Sequence, residues 1–287
     1  MKEIGFYNGK LGNLMEISCP IMDRAVYFGD GCYDASYVYN KKVFAIDEHL
    51  DRFYGNCDRL GIRLQYSRNE LQNIFSAMIE EFDSDMGMIY WQASRGTDVR
   101  YHSFPTKENV TPNLMAYLIP RKLAPKTKTF QVISLEDTRY KHCDIKTLNL
   151  LPSVMATQKA KERGCNEVIF HRDGNVTEMA HSNISFLIDG TLVYHPFDWK
   201  IMPGISIKRL LRQAEQLGIE TVARELSLEE ALAADELIVT SSGSICHRVV
   251  TCDENPVGGK AKQLFQQLQD AAYADFSTDV GKELALC

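Results

Sequence analysis

The sequence predicts an α/β chain of mixed α+β type, organised as two domains that join near residue 120. Three observations predict it. Short strand-like runs flank the turn dipeptides Asn8-Gly9, Asp173-Gly174 and Asp189-Gly190, which are strong hairpin signals. Stretches of helical periodicity alternate with such runs in both halves of the chain. Between the halves lies YLIPRKLAPK (117–126), with two prolines and no acidic residue, a linker composition. The expected domains are 1–120 and 121–287.

In chain order, FYNGKLG opens the first half as a hairpin. The run Tyr37-Val38-Tyr39, a turn at Asn40-Lys41-Lys42 and the run Val43-Phe44-Ala45-Ile46 suggest a second one. Leu50, Phe53, Tyr54, Cys57 and Leu60 then recur at helical spacing, and Gly61 stops that helix. A helix over about 70–82 and a strand Met88-Ile89-Tyr90-Trp91-Gln92-Ala93 complete the half. The second half begins with the strand TFQVISL and carries the two Asp-Gly hairpins. Its expected helices run over about 153–163 with Gly164 as stop, 206–217 with Gly218 as stop, and 227–234, where Ser227 and Glu230 form a capping-box pattern.

Bulk properties narrow the function. The chain has 287 residues, 45% hydrophobic and 24% charged, an ordinary globular balance. A formal net charge of −6 argues against a general nucleic-acid or membrane-surface binder, which needs a basic footprint. The N-terminus MKEIGFYNGK has no apolar core of a signal peptide, and no run approaches a bilayer span. The eight cysteines show neither CxxC pairs nor zinc spacing. Together these features predict reduced thiols in a cytoplasmic protein.

The chemistry is concentrated around Lys146, in KHCDIKTLNLL (141–151). Apolar Ile145 and Leu148 lie close to it. An ammonium among apolar residues loses hydration, its pKa tends to fall, and it becomes a candidate Schiff-base former. On this segment alone, a lysine that packs its stem and sends its head to water is the simpler reading. Three further features reverse that. Glu178 ends a hairpin arm in NEVIFHRDGNVTEMAHSNISF (166–186), where an acid needs a cationic partner. Met202-Pro203-Gly204-Ile205-Ser206 opens a helix with free backbone amides, an anion site with Ser206 as N-cap. A strand then runs into the hydroxyl-rich turn Thr240-Ser241-Ser242-Gly243-Ser244. A Schiff-base lysine, a carboxylate for a pyridinium nitrogen and two phosphate-facing turns are what pyridoxal 5'-phosphate requires.

The ordered blocks DRAVYFGDGCYD (23–34), DEHLDRFY (47–54), RGTDVRYHSFP (95–105), KTLNLLPSV (146–154), 166–183, MPGIS (202–206) and ELIVTSSGS (236–244) resemble the fold-type IV pyridoxal-phosphate enzymes, the class IV aminotransferases. The resemblance covers nearly the whole chain. It implies a two-domain enzyme with the cofactor at the domain interface. Lys146 would carry the cofactor and move the proton, and Glu178 would pair with the pyridine nitrogen. Arg52, Ile205, Ser206 and Ser242 would bind the phosphate. For Arg52 the resemblance stands alone, because its helical position otherwise reads as a solvated face.

Arg100-Tyr101-His102 bears on the substrate. In extended chain Arg100 and His102 point to one side, and a guanidinium beside an imidazole suits a carboxylate. Two solvated loop residues are the reading without context. In context the motif resembles the D-amino-acid transaminases, which implies that Tyr33, Arg100 and His102 grip the substrate α-carboxylate, in a homodimer whose Arg-His loop reaches the partner's site. The implied reaction moves the amino group of a D-alanine, D-glutamate or D-aspartate type substrate to a 2-oxo acid in a ping-pong cycle. An aminodeoxychorismate lyase, an L-branched-chain aminotransferase and a catalytically silent relative are the alternatives. Departures from the pattern are Asp34 for Glu, Ser206 for Thr, Ile207 for Arg, Met179-Ala180-His181 for a Gly/Ser-rich stretch, and Gly243 for a hydroxyl residue. They bear on substrate breadth, with Met179 and His181 expected to narrow the pocket or to add a polar contact.

Overall fold

The structure, a computed structural model, describes residues 2–105 and 110–284; Cys287 lies outside the described residues. The chain divides into two compact units. One comprises Met1–Lys122, Ile145–Asn149 and Asp279–Lys282, the other Leu123–Asp144, Leu150–Thr278 and Glu283–Cys287.

The first unit contains β1 (Ile4–Tyr7), β2 (Lys10–Asn13), α1 (Arg24–Phe28), β3 (Gly31–Tyr39), β4 (Lys42–Val43), α2 (Ile46–Arg59), α3 (Arg68–Glu81), β5 (Met86–Ser94) and β6 (Asn113–Pro120). The strands form a sheet in the order β2-β1-β6-β5-β3-β4, with antiparallel pairing throughout. The first hairpin turns through Asn8 (φ 44°) and Gly9 (φ 92°), as a two-residue turn with both central residues left-handed requires. Alternation along the strands sets the faces. Ile89, Trp91, Ala93, Leu114, Ala116 and Leu118 join Leu50, Phe53, Leu71 and Phe75 of the helices in one core. The intervening Tyr33, Tyr90 and Tyr117 lie on the other face, where Tyr90 stacks on both of its neighbours.

The second unit contains β7 (Thr129–Glu136), α4 (Leu151–Glu162), β8 (Glu167–Arg172), β9 (Asn175–Met179), β10 (Asn183–Ile188), β11 (Thr191–Tyr194), α5 (Ile205–Gln216), β12 (Thr221–Ala223), α6 (Leu228–Ala233), β13 (Glu236–Thr240), β14 (His247–Cys252), β15 (Asn255–Pro256) and α7 (Lys262–Val280). Its sheet runs β12-β11-β10-β13-β14-β7-β8-β9, with β15 beside β14. The pairs β11–β12, β14–β7 and β7–β8 are parallel. Parallel neighbours need crossovers, and α4 supplies the one between β7 and β8, packing Ala156 and Ala160 against Ile133, Val168 and Phe170. Both Asp-Gly turns form, with φ of 52° and 79° at Asp173-Gly174 and 49° and 80° at Asp189-Gly190.

Several elements differ from expectation. The run after Lys42 leaves the sheet at Val43, because Ala45 turns left-handed (φ 51°) and α2 begins at Ile46. Part of the expected linker is strand, since β6 continues to Pro120. At α6 only half of the capping box forms: Ser227 accepts from the Glu230 N–H, while the Glu230 carboxylate turns to Arg224. Helix α7 lies outside the elements expected above, although Phe265, Leu268, Ala272 and Phe276 are buried at helical spacing.

The segment Ile145–Asn149, with Lys146, belongs to the first unit rather than to the second half of the chain. Its backbone is tied to β3. The Tyr33 N–H donates to the Lys146 carbonyl (3.0 Å), the Leu148 N–H donates to the Gly31 carbonyl (3.1 Å), and Cys32 bridges Thr147. Gly31 permits this approach. A Cβ there would lie 2.2 Å from the Ala93 carbonyl oxygen and 2.9 Å from a methyl of Leu148. Gly31→Ala is therefore expected to destabilise the protein by about 1–3 kcal/mol, seen as a Tm lowered by several °C in thermal unfolding; an unchanged Tm contradicts the packing argument.

Candidate active site

The first unit places Lys146 above an aromatic ring and beside a buried charge network. The Lys146 Nζ lies 4.4 Å from the centroid of Tyr33, a cation–π distance. The residue is half-buried rather than dry, and its Nζ has no hydrogen bond among the described residues. Asp34, one residue on, faces α2 and is fully buried. Its carboxylate accepts from Arg52 Nε (2.9 Å) and Nη2 (2.7 Å) and lies 2.8 Å from His49 Nδ1. Burial alone would raise the Asp34 pKa, but the Arg52 guanidinium and then His49 hold it well below the usual carboxylate range. Burial, with help from the Arg52 and Lys146 charges, pushes His49 down against the pull of Asp34. The solvated position expected for Arg52 from spacing is thus replaced by a fork on Asp34, with Nη1 left over as a donor among the described residues. His49 is a part of this site that the sequence reading missed.

The loop after β5 carries Arg100 and His102. Both are exposed, and both rest on the ring of Phe28: the Arg100 guanidinium carbon is 4.8 Å from its centroid, and the His102 ring 5.2 Å. The two side chains therefore lie against one ring, although the backbone between them bends instead of running extended, with the Tyr101 N–H donating to the Val99 carbonyl (2.9 Å).

The second unit places Glu178 in a fully polar nest. The carboxylate is buried. Oε1 accepts from Arg139 Nη1, and Oε2 accepts from Asn183 Nδ2 (2.9 Å) and the Met202 N–H (3.0 Å). Burial pushes its pKa up to about 7, with Arg139 and the hydrogen bonds opposing that rise. Arg139 is itself held by Asp137 (Nε to Oδ1 2.9 Å, Nη2 to Oδ2 2.8 Å). Arg139 and Asp137 were not among the expected site residues. Their signal is the i, i+2 acid–base spacing in EDTRYK, which shows only once β7 has ended at Glu136.

Asn183 couples Glu178 to the start of α5. Its Nδ2 also donates to the Met202 carbonyl (2.8 Å), and a Cβ on Gly204 would lie 2.0 Å from its Oδ1. Gly204, not Ser206, is the N-cap of α5, with no side-chain capping bond. Ser206 sits one residue inside the helix because the Met202-Pro203-Gly204 turn already supplies the extended residue that a cap needs. The N–H groups of Ile205, Ser206 and Ile207 are consequently left without partners among the described residues, and donors of this kind suit an anion. Asn183 pairs with Thr240 in the sheet, so the turn at Ser241 to Ser244, closed by a Ser244 N–H to Ser241 carbonyl bond (3.1 Å), leaves from the same end of β13. Ser242 is half-buried there.

The residues that depart from the family pattern are placed as follows. Met179, Ala180 and Ile207 are core residues, and Met179 packs with Ile169 and Val176. His181 turns to the buried carboxylate of Glu167. Each unit by itself holds groups that suit a phosphorylated, pyridine-containing cofactor: the first a lysine amine and a guanidinium N–H in reserve, the second unpartnered helix amides and a buried carboxylate already backed by arginine.

Comparison with known proteins agrees with this chemistry. The family model described as amino-transferase class IV matches residues 31–252. The chain is 35% identical over 268 residues to a D-alanine aminotransferase of Staphylococcus aureus (strain MSSA476), covering 92% of this chain and 95% of that one. It is 32% identical over 279 residues to a D-alanine aminotransferase of Bacillus licheniformis, covering 96% and 98%. In structure it is similar to branched-chain aminotransferases of Thermoproteus uzoniensis (TM-score 0.86, 20% identity, 99% and 96% covered) and Escherichia coli (TM-score 0.86, 20% identity, 99% and 97% covered), a likeness of fold. With the family model matched over most of its length and relatives of 32–35% identity over nearly all of it, the chain belongs to the class IV aminotransferases.

Proposed function

We propose that this aminotransferase uses pyridoxal 5'-phosphate to move the amino group of a D-amino acid, of the D-alanine, D-glutamate or D-aspartate type, to a 2-oxo acid in two half-reactions. The observation that carries the D-specific reading is the pair Arg100 and His102, held on one side of their loop by Phe28 with both side chains free to meet a carboxylate. The full-length similarity to D-alanine aminotransferases supports it.

When bound, the cofactor supplies an electron sink for the charge that develops at the substrate Cα. The chain supplies the rest. Lys146 would hold the cofactor and, as a free amine, would take the substrate Cα proton and deliver it to the cofactor C4′, with the reverse transfer in the second half-reaction. Glu178, ionised and backed by Arg139, keeps the proton on the pyridine nitrogen. The Ile205 and Ser206 amides, Ser242 and the spare Nη1 of Arg52 bind the phosphate. Tyr33, Arg100 and His102 bind the α-carboxylate. Lys146 works from one face, so the side on which the carboxylate is held decides which enantiomer loses its hydrogen.

A homodimer in which the loop with Arg100 and His102 serves the partner's site fits the exposure of Val26, Val99, Tyr101 and Phe104 around that loop. A cytoplasmic location is supported by the described cysteines, all of which are free, and cell fractionation tests it. No described helix is long and apolar enough to cross a membrane.

The purified enzyme is expected to convert D-alanine and 2-oxoglutarate to pyruvate and glutamate and to leave L-alanine and L-leucine unreacted, while running as a dimer in light scattering. Transfer from L-leucine alone would favour the branched-chain reading. Pyruvate released from aminodeoxychorismate without an acceptor would favour the lyase.

Arg139→Gln removes the cation that opposes the rise of the Glu178 pKa. That pKa should climb by roughly 1–3 units. Activity, which needs ionised Glu178, should then be lost at a higher pH on the acid side of the pH–rate profile. An acid limb that stays in place contradicts the role given to Arg139.

A further inference from the structure

The carboxylate-binding loop rests on a ring, not on a carboxylate. We propose that Phe28 is a positioning residue that fixes Arg100 and His102 for the α-carboxylate of both amino donor and oxo-acid acceptor, an inference that rests on the carboxylate-binding reading above. Phe28 is the last residue of α1, and Gly29 caps the helix in the left-handed region (φ 60°), so the ring's place is set by backbone. The chain then zips α1 to the loop. The Arg24 N–H donates to the Gly96 carbonyl (3.0 Å), and the Asp98 N–H to the Met22 carbonyl (3.2 Å). The Tyr27 hydroxyl donates to the Asp98 carbonyl (2.6 Å). Arg24 Nη1 donates to the carbonyl of Tyr101 (2.8 Å), the residue between Arg100 and His102. Arg24 is 3% exposed and is locked by Asp30 (2.7 Å), which also accepts from Arg95 Nε (2.9 Å). The Arg24 guanidinium carbon, too, lies over the Phe28 ring, 4.9 Å from its centroid.

The choice of a ring has a chemical consequence. A π face attracts a guanidinium or an imidazolium electrostatically without using its N–H groups. An acidic neighbour would hold the same side chains but would occupy their donors. Arg100 and His102 accept support from Phe28 and keep their hydrogen-bonding capacity for a ligand. Among the described residues neither has a hydrogen bond or an ion pair.

The test is steady-state kinetics of the holoenzyme carrying Phe28→Leu, which keeps an apolar side chain and removes the π face. KM for D-alanine and for 2-oxoglutarate should each rise about 5- to 30-fold, with kcat within about threefold of the parent. Phe28→Tyr should restore both KM values. Added to the double variant Arg100→Ala/His102→Ala, Phe28→Leu should raise KM no further. The proposal is overturned if Phe28→Leu leaves KM unchanged while the double variant raises it. It is also overturned if Phe28→Leu raises KM equally in the double-variant background, which would make the ring a general structural support. If the double variant itself leaves KM unchanged, the carboxylate-binding reading fails and takes the role of Phe28 with it.

Discussion

Four residues of one strand, 31–34, carry most of the positioning in the first unit. The Gly31 carbonyl and the Tyr33 N–H hold the backbone of the lysine segment. The Tyr33 ring lies under the lysine amine. The Asp34 carboxylate holds Arg52 in a two-point fork. Strand alternation makes this possible, because Cys32 and Asp34 face α2 while Tyr33 faces the opposite side. Removing one partner of a buried ion pair leaves an uncompensated charge, at a cost of about 3–5 kcal/mol. From its buried position the Asp34 carboxylate reaches both His49 and Arg52.

The second unit solves a different electrostatic problem. A buried carboxylate tends to take up a proton, and Glu178 is drawn in that direction by burial. Arg139, Asn183 and the Met202 N–H oppose the tendency. Arg139 is in turn fixed by Asp137, so the chain of support runs from β9 to the segment after β7. The same Asn183 sets the start of α5 through its close approach to Gly204. One amide side chain thereby links the carboxylate to the helix end whose free N–H groups suit a phosphate.

Local signals made much of this legible in the sequence. Asn-Gly and Asp-Gly pairs mark their hairpins because only left-handed residues fit those turns. Gly61, Gly164 and Gly218 stop their helices with φ between 65° and 72°. Lys146, Glu178 and the 202–206 turn stand out because their residue types are unusual for their surroundings. What stayed hidden depends on contacts distant in sequence. The fork between Asp34 and Arg52 spans a strand and a helix. The Arg139–Glu178 pair joins residues 39 apart. The placement of Lys146 with the first unit follows from backbone bonds to β3 more than a hundred residues earlier. Ser206 was misread as a cap because a serine near a helix start usually is one; here the glycine before Ile205 takes that position. Met179 and Ile207, set apart as departures in a phosphate or substrate region, are core residues, since strand and helix periodicity turns them inward.

The central claim is that Lys146 is the amine that carries the cofactor. Borohydride reduction of the holoenzyme, followed by proteolysis and peptide mass spectrometry, tests it most directly. The account predicts a phosphopyridoxyl group on Lys146 and on no other lysine. Its appearance on a different lysine, with Lys146 unmodified, would contradict the account.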